Sequence, residues 1–314
     1  MMTGKAPEIL SPDAGGIALA AEALRAGRLV AVPTETVYGL AARADSDEAV
    51  ASIYRAKGRP DFNPLIVHVA DLAQAGQLAL LDDRARMLAD RFWPGPLTMV
   101  LPLRPGAPVA PAVTAGLPTI ALRMPAHPVM RALLAGTGFP LAAPSANRSG
   151  AVSPTCAAHV AASLGGRVPL IIDGGDCASG VESTIVALRV DGSWQILRPG
   201  PVDGAELAEV LGPAASQAAR GIEAPGQLAS HYAPGKPVRL NAGAAVEGEF
   251  LIGFGDVAGD VSLSPVGDLT EAASRLYRCF HDAAESGKPM IAVAPVPETG
   301  IGVAINDRLR RAAA

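Results

Sequence analysis

Short apolar runs of β type alternate with helical patterns over roughly residues 14–200, and this alternation restricts the fold more than any other feature of the chain. Strand-like runs fall at 28–32, 64–69, 96–103, 118–123, 139–143, 169–173, 184–190 and 194–198. Helical patterns fall between them at 14–26, 47–56, 82–92, 127–135, 155–164 and 203–211. Ser11 and Asp13 are candidate caps for the first helix and Gly27 its stop; Asp45 or Ser46 caps the second, which ends at Lys57-Gly58. Mixed in this order, the elements imply an α/β chain with a twisted, partly parallel sheet and flanking helices. No internal repeat is present.

Residues 212–237 change character, with Gly212-Pro213, Pro225-Gly226, Pro234-Gly235 and Pro237 and few aliphatics between them. That composition reads as a linker with turns. A smaller βα pattern follows: a strand at Phe250–Phe254, a helix over 270–286, a strand at Met290–Ala294 and a last helix over 301–312. This order suggests a small Rossmann-like α/β lobe. It lacks a G-x-G-x-x-G after its first strand, so no dinucleotide is assigned to it. With 314 residues, 49% hydrophobic and 18% charged, the chain has material for more than one domain and a sizeable core. A net charge of −4 argues against broad nonspecific nucleic-acid binding, yet leaves room for a local basic groove. Cys156, Cys177 and Cys279 are too few and too far apart for a disulfide framework or a zinc knuckle, and they point to a reducing cytoplasm. Met1 to Ser11 carries no signal-peptide core, and no run reaches the ~20 apolar residues of a membrane span.

Polar residues cluster where these strands end. After Leu29–Val32 comes Pro33-Thr34-Glu35-Thr36-Val37-Tyr38-Gly39-Leu40, a turn of hydroxyls that either caps backbone groups or faces a small polar ligand. Lys57 and Arg59 alone would suit a solvated helix end. Followed by Asn63 and the apolar run Leu65–Val69 with its single His68, they read as one wall of a polyphosphate site that is not a Walker loop. Period-two alternation puts Thr119, Ala121 and Arg123 on one strand face, and an inward arginine needs a ligand anion or a buried carboxylate. Pro144-Ser145-Ala146-Asn147-Arg148-Ser149-Gly150 leads to Ser153-Pro154-Thr155, where Ser153 or Thr155 is a candidate cap for a helix whose free N–H groups make either an anion site or an ordinary capping loop. Asp173-Gly174-Gly175 permits a tight loop, Ser183-Thr184 enters a strand, and Arg198 at a strand end could reach a phosphate. In the linker, Ser230-His231-Tyr232-Ala233-Pro234 places an aromatic pair where a tether needs none, which suggests docking or a lid.

Taken together, PTETVYGL, KGRPDFNPLIVHV, FWPGPLT, TIALRMP, PSANRSGAVSPT and GVESTIV resemble the YrdC-like family over residues 14–201. The SHYAP segment in a linker over 202–237, the small lobe over 238–314 and the run Ala304–Leu309 resemble the long form of that family. The resemblance implies a YrdC-like mixed open sheet and a cytoplasmic nucleotidyltransferase. Its reaction would combine L-threonine, bicarbonate and ATP into L-threonylcarbamoyladenylate, releasing pyrophosphate. The product would pass to a threonylcarbamoyl transferase complex that makes N6-threonylcarbamoyladenosine in tRNA. Carried over by motif position, Thr36, His68, Arg123, Ala143 and Ser183 form the threonine set. Arg59, Asn63, Thr119, Ser145, Ser153, Arg198 and Tyr232 form the ATP set, with Lys57 and Arg59 as the charge-neutralising catalytic pair. Mg2+ is expected with ATP, its protein ligands unassigned and Glu182 and Asp173 the candidates. Two rivals remain: an RNA-binding module with no threonine pocket, and a carbamoyl-transfer enzyme. The latter would need acylphosphatase-like and zinc-finger segments that this chain lacks.

Overall fold

A computed structural model of the chain describes residues 6–214, 221, 223–227 and 231–314. The described residues form two sheets. Ten strands build the first: β1 (Glu8–Leu10), β2 (Val30–Val32), β3 (Gly39–Arg43), β4 (Ile66–His68), β5 (Leu97–Pro102), β6 (Thr119–Arg123), β7 (Leu141–Ala142), β8 (Leu170–Ile172), β9 (Thr184–Leu188) and β10 (Trp194–Arg198). They lie in the order β1-β8-β2-β3-β7-β4-β6-β5-β9-β10, with β4 parallel to β6 and β5 to β9, and with β3 and β7 running antiparallel to their neighbours. The expected mixed sheet is therefore present. Two of its strands escaped the pattern of apolar runs. β3 is Gly-Leu-Ala-Ala-Arg, poor in β-branched residues; it forms because the hydroxyl turn folds the chain back onto β2. β1 is three residues long and extends the sheet N-terminal of residue 14.

Period-two alternation gives this sheet two apolar faces. On one, Ala31, Leu40, Val67 and Met99 pack against α2 (Asp47–Lys57), α3 (Leu72–Leu78), α4 (Asp83–Phe92), α5 (Pro111–Thr114), α7 (Ala157–Leu164) and α8 (Gly204–Leu211). Ser46 caps α2 by accepting from Ala49 N, while Asp203 and Glu206 form a capping box on α8, whose Leu207 is fully buried. α8 thus packs onto the first core beyond residue 201. On the other face, Val30 and Val32 are covered by α1 (Ala14–Arg25) and α6 (Pro128–Thr137). The rest of that face, with Ile66, Val100, Ala121 and Ile185, is met by Ala224 from the segment joining the two sheets.

The second sheet is wholly parallel, in the order β11 (Val238–Arg239), β14 (Met290–Val293), β12 (Glu249–Gly253), β13 (Val261–Ser262). Two helices accompany it, α9 (Leu269–Glu285) and α10 (Gly302–Ala312). α9 buries Ala272, Ala273, Leu276, Tyr277, Phe280 and Ala283, the i, i+3, i+4 stripe of an amphipathic helix. Burying Leu276 or Phe280 stabilises the fold by roughly 1.5–3 kcal/mol each. This apolar cluster also takes in Val37, Val152, Val181 and Tyr232, so the smaller unit packs against the loops at the edge of the large sheet.

Candidate active site

Those loops enclose a cavity. Its walls carry Thr34, Thr36 and Val37 from the hydroxyl turn, Ile66 and His68 from β4, Arg123 from β6 and Ala143 with Ser145 after β7. Ser183 before β9, Arg198 at the end of β10, Arg59, Glu182, Pro225, His231 and Tyr232 complete them. Register explains the convergence: His68 lies beside Arg123 on the neighbouring parallel strand, and Ala143 N bonds to Ile66 O at 3.1 Å.

One end of the cavity is built around a guanidinium. Arg123 is 4% exposed; its Nη1 donates to Thr36 Oγ1 at 2.8 Å, its Nε to Gly95 O at 3.2 Å, and its Nη2 lies 2.6 Å from Glu35 Oε1. The inward arginine thus has its buried carboxylate. Burial alone would raise the pKa of the Glu35 carboxyl; Arg123 outweighs it and holds the group below the usual carboxylate range. The threonine turn is tied internally, Thr34 Oγ1 donating to Val37 O at 2.6 Å and accepting from Thr36 N and Val37 N. His68 is buried and neither ring nitrogen has a partner. Burial, reinforced by Arg123, lowers its pKa to about 3, so the imidazole is neutral and free to bond a small polar ligand.

The other end gathers cations that have no counter-ion. Gly58 caps α2 in the left-handed region at φ 61°, with Gly58 N bonded to Arg55 O and Arg59 N to Tyr54 O, and this turn brings Arg59 round towards the cavity. Arg59 fixes itself by donating Nε to Asn63 O and Nη2 to Pro64 O, at 3.1 and 2.8 Å. Arg198 donates to Ser183 O and Ser183 Oγ, both at 3.1 Å. Lys57 lies behind the wall and donates Nζ to Ser145 O and Asn147 O at 2.6 Å each. Among the described residues none of the three pairs with a carboxylate; Lys57 and Arg198 are buried and Arg59 is half-buried, and the two arginines, which line the cavity, await an anion. Desolvation, with Arg59 beside it, pushes the Lys57 ammonium well below its usual range, and desolvation lowers Arg59 to about 10.

Pro225, His231 and Tyr232 lie across the opening. Tyr232 is fully buried and adopts a left-handed φ of 64°, a strained choice for an aromatic residue. Its hydroxyl has no partner, and neither has Nδ1 of His231. Gly226 at φ 86° can only be glycine: a Cβ there would come within 2.9 Å of both Arg198 Cδ and the Tyr232 hydroxyl. Docking of the His-Tyr pair is what the sequence suggested; Ser230 of that motif lies outside the described residues. The space enclosed is ≈ 40 Å³, room for roughly three waters.

The structure brings together Thr36, Arg59, His68, Arg123, Ala143, Ser145, Ser183, Arg198 and Tyr232. Four other expected residues stand outside the lining. Lys57 acts through the backbone of the 145–147 loop. Asn63 is buried beside Arg59 with its Oδ1 unpartnered. Ser153 gives its hydroxyl to Glu182 at 2.6 Å. Thr119 is on the same face of β6 as Arg123 but at the far end of the strand, about 13 Å away. Sequence reasoning missed Glu35 as the partner of Arg123 and did not place His231 in the site. The demand of Arg123 for an anion was the one available signal for Glu35. Glu182 and Asp173 do not suit a metal: Glu182 has both oxygens engaged by Ser153, Tyr277 and Arg308, and exposed Asp173 accepts from Gly175 N. No cluster of three or more His, Cys, Asp or Glu able to hold a metal ion occurs among the described residues.

Residues 22–200 match the Sua5/YciO/YrdC family described as "Telomere recombination", and residues 202–314 match the "Threonylcarbamoyl-AMP synthase, C-terminal domain". The chain belongs to this family. It is 41% identical to the threonylcarbamoyl-AMP synthase of Bacillus subtilis, over 97% of this chain and 94% of that one. With the Pyrococcus abyssi synthase it shares 41% identity over 94% and 93% of the two chains. The crystal structure of P. abyssi Sua5 complexed with L-threonine superposes with a TM-score of 0.90 at 38% identity, covering 98% of this chain and 97% of that one. The family's two-part architecture thus extends over nearly all of this chain. No helix among the described residues is long and apolar enough to cross a membrane.

Proposed function

We propose that this cavity joins L-threonine and ATP into L-threonylcarbamoyladenylate, the activity of a nucleotidyltransferase that supplies N6-threonylcarbamoyladenosine synthesis in tRNA. The observation that carries the reading is the division of the cavity: two arginines without counter-ions, Arg59 and Arg198, at one end, and a compensated arginine beside an unpartnered imidazole at the other. A triphosphate supplies the anion that Arg59 and Arg198 lack, while Lys57 braces the Ser145–Asn147 backbone behind them. An amino acid's carboxylate suits Arg123 and Thr36, and neutral His68 bonds its ammonium or hydroxyl. The curated homologues of nearly equal length are threonylcarbamoyl-AMP synthases, and the P. abyssi structure holds L-threonine.

The chemistry asks for placement more than for a nucleophile on the protein. Threonine, once its amine is unprotonated, adds to bicarbonate and expels water, giving a carbamate. A carbamate oxygen then attacks the α-phosphorus of ATP, and pyrophosphate leaves with the bridging oxygen's electron pair. The chain contributes by aligning the two substrates and by fixed positive charge where phosphate charge moves. Mg2+ would arrive with ATP, held by phosphate oxygens and water, since both Glu182 oxygens are already engaged. His231 and Tyr232 would move aside to admit substrates far larger than the enclosed space. Cytoplasmic location, transfer of the adenylate to a threonylcarbamoyl transferase complex and contact with RNA belong to the same reading.

Pyrophosphate release decides it. With ATP, Mg2+ and bicarbonate, release should depend on L-threonine and stop when bicarbonate is depleted. Release at the same rate with and without threonine would overturn the reading and favour an ATP hydrolase.

A further inference from the structure

Glu182 is the one carboxylate in a cavity lining otherwise furnished with cations. Left free beside a triphosphate, it would repel the ligand and compete for Arg198. Two helices of the second sheet prevent this. Tyr277 of α9 donates its hydroxyl to Glu182 Oε2 at 2.8 Å. Arg308 of α10, fully buried, donates Nε to the same oxygen at 2.9 Å. Ser153 occupies Oε1 from the other side. Burial alone would raise this carboxyl, but Arg308, then Arg198 and the hydrogen bonds, bring it down to about 2. Arg198 in turn bonds only to Ser183 and, at 3.4 Å, Pro225 O; it feels the Glu182 charge but forms no ion pair with it, which leaves its guanidinium open to a ligand anion.

The same two side chains hold the aromatic of the covering segment. The Tyr277 ring stacks on Tyr232 with centroids 5.7 Å apart, and the Arg308 guanidinium lies 5.3 Å from the Tyr232 ring centre. Arg308 and Tyr277 therefore touch both a wall of the nucleotide end and its cover, although they belong to the other sheet.

We propose that Arg308 and Tyr277 are positioning residues of the nucleotide site, through which the C-terminal unit keeps Glu182 off the phosphates and off Arg198 and seats Tyr232 over the opening. The inference rests on reading the cavity as an ATP site, and it gives the C-terminal unit a task in the first unit's chemistry.

The test measures threonine-dependent pyrophosphate release by wild type, Arg308→Gln, Arg308→Gln with Glu182→Gln, and Tyr277→Phe, titrating ATP and threonine separately. Arg308→Gln is expected to raise KM for ATP by about tenfold or more, with KM for threonine nearly unchanged. Adding Glu182→Gln removes the exposed charge and should recover most of that loss, which a merely structural Arg308 would not allow. Wild-type KM for ATP in Arg308→Gln, or no recovery in the double variant, would overturn the proposal. If Arg308→Gln does not fold, Tyr277→Phe decides: it keeps the ring stack and loses only the hydroxyl bonds. A rise of about threefold in KM for ATP supports the proposal, and none refutes it. Wild type lacking threonine-dependent release would instead refute the functional reading itself.

Discussion

Replacing Arg59 by alanine tests the polyphosphate end most directly. Two of its three nitrogens hold the Asn63 and Pro64 carbonyls, so the guanidinium is set before any ligand arrives, and Nη1 stands outside these bonds. A charge-assisted contact to phosphate stabilises by about 1.5–3 kcal/mol, and two N–H donors on Nη1 therefore amount to roughly 3–6 kcal/mol. At about 1.4 kcal/mol per decade, kcat/KM for ATP should fall by roughly a hundredfold at the least. One effect runs the other way: Arg59 depresses the Lys57 ammonium, and removing it leaves Lys57 more fully charged. Arg59→Lys should fall between the two, because the charge survives and the backbone-anchored fork does not. The assay is threonine-dependent pyrophosphate release with ATP titrated, beside threonine binding measured calorimetrically without ATP. Threonine affinity should stay near that of wild type, since Arg123, Thr36 and His68 are untouched. ATP kinetics within threefold of wild type in Arg59→Ala would refute the phosphate role and leave Arg59 as a brace for the loop after α2.

Glu35→Gln removes the counter-ion of buried Arg123, so the ligand-free protein should lose about 3 kcal/mol. Saturating L-threonine should restore part of that loss, giving a larger threonine-induced rise in Tm than in wild type; an equal rise in both would contradict the placement of Arg123. His68 is held neutral while the unfolded chain takes up a proton below pH 6.5. Its contribution is therefore present above that value and is lost as the pH falls towards 3, at a cost of about 2 kcal/mol at pH 5. Urea denaturation at pH 7.5 and 5 should show His68→Gln less acid-sensitive by that amount, and identical slopes would refute the assignment. Tyr232→Ala removes the ring packed on Tyr277 and Arg308 and should speed ATP dissociation, measured by stopped-flow displacement. Unchanged dissociation would leave the segment as packing only.

The sheet was legible where local sequence carries its period. β4, β5, β6 and β9 are apolar, β-branched runs, and each was expected within a few residues of where it lies. β3 was not, because an alanine-rich strand has no local signature and exists only through its pairing with β2 and β7. The chemistry of Arg123 was readable from its strand face, as was its need for an anion. Which carboxylate answers it was not, since Glu35 comes from a turn 88 residues earlier in the chain. Position in a motif also did not separate residues that line the cavity from residues that hold the lining in place. Lys57 and Ser153 belong to the second kind, and only their hydrogen bonds to Ser145, Asn147 and Glu182 show it.

The two arginine environments also account for one cavity receiving two anionic substrates without exchanging them. Arg123 is already compensated by Glu35, so a triphosphate placed there would meet a carboxylate as well as a guanidinium. Arg59 and Arg198 have no carboxylate in direct contact, and burial raises the energy of each charge until phosphate arrives. An amino acid brings one carboxylate and one ammonium; it leaves the unscreened end still charged, whereas it satisfies the screened end with both of its groups. Charge density, more than shape, therefore sorts the substrates. The same sorting requires that Glu182 never turn towards Arg198, because that movement would screen the phosphate end and make the two ends alike. The side chains that prevent it, Tyr277 and Arg308, come from the C-terminal unit, so the discrimination between ATP and threonine depends on a part of the chain that contributes no residue to the cavity wall.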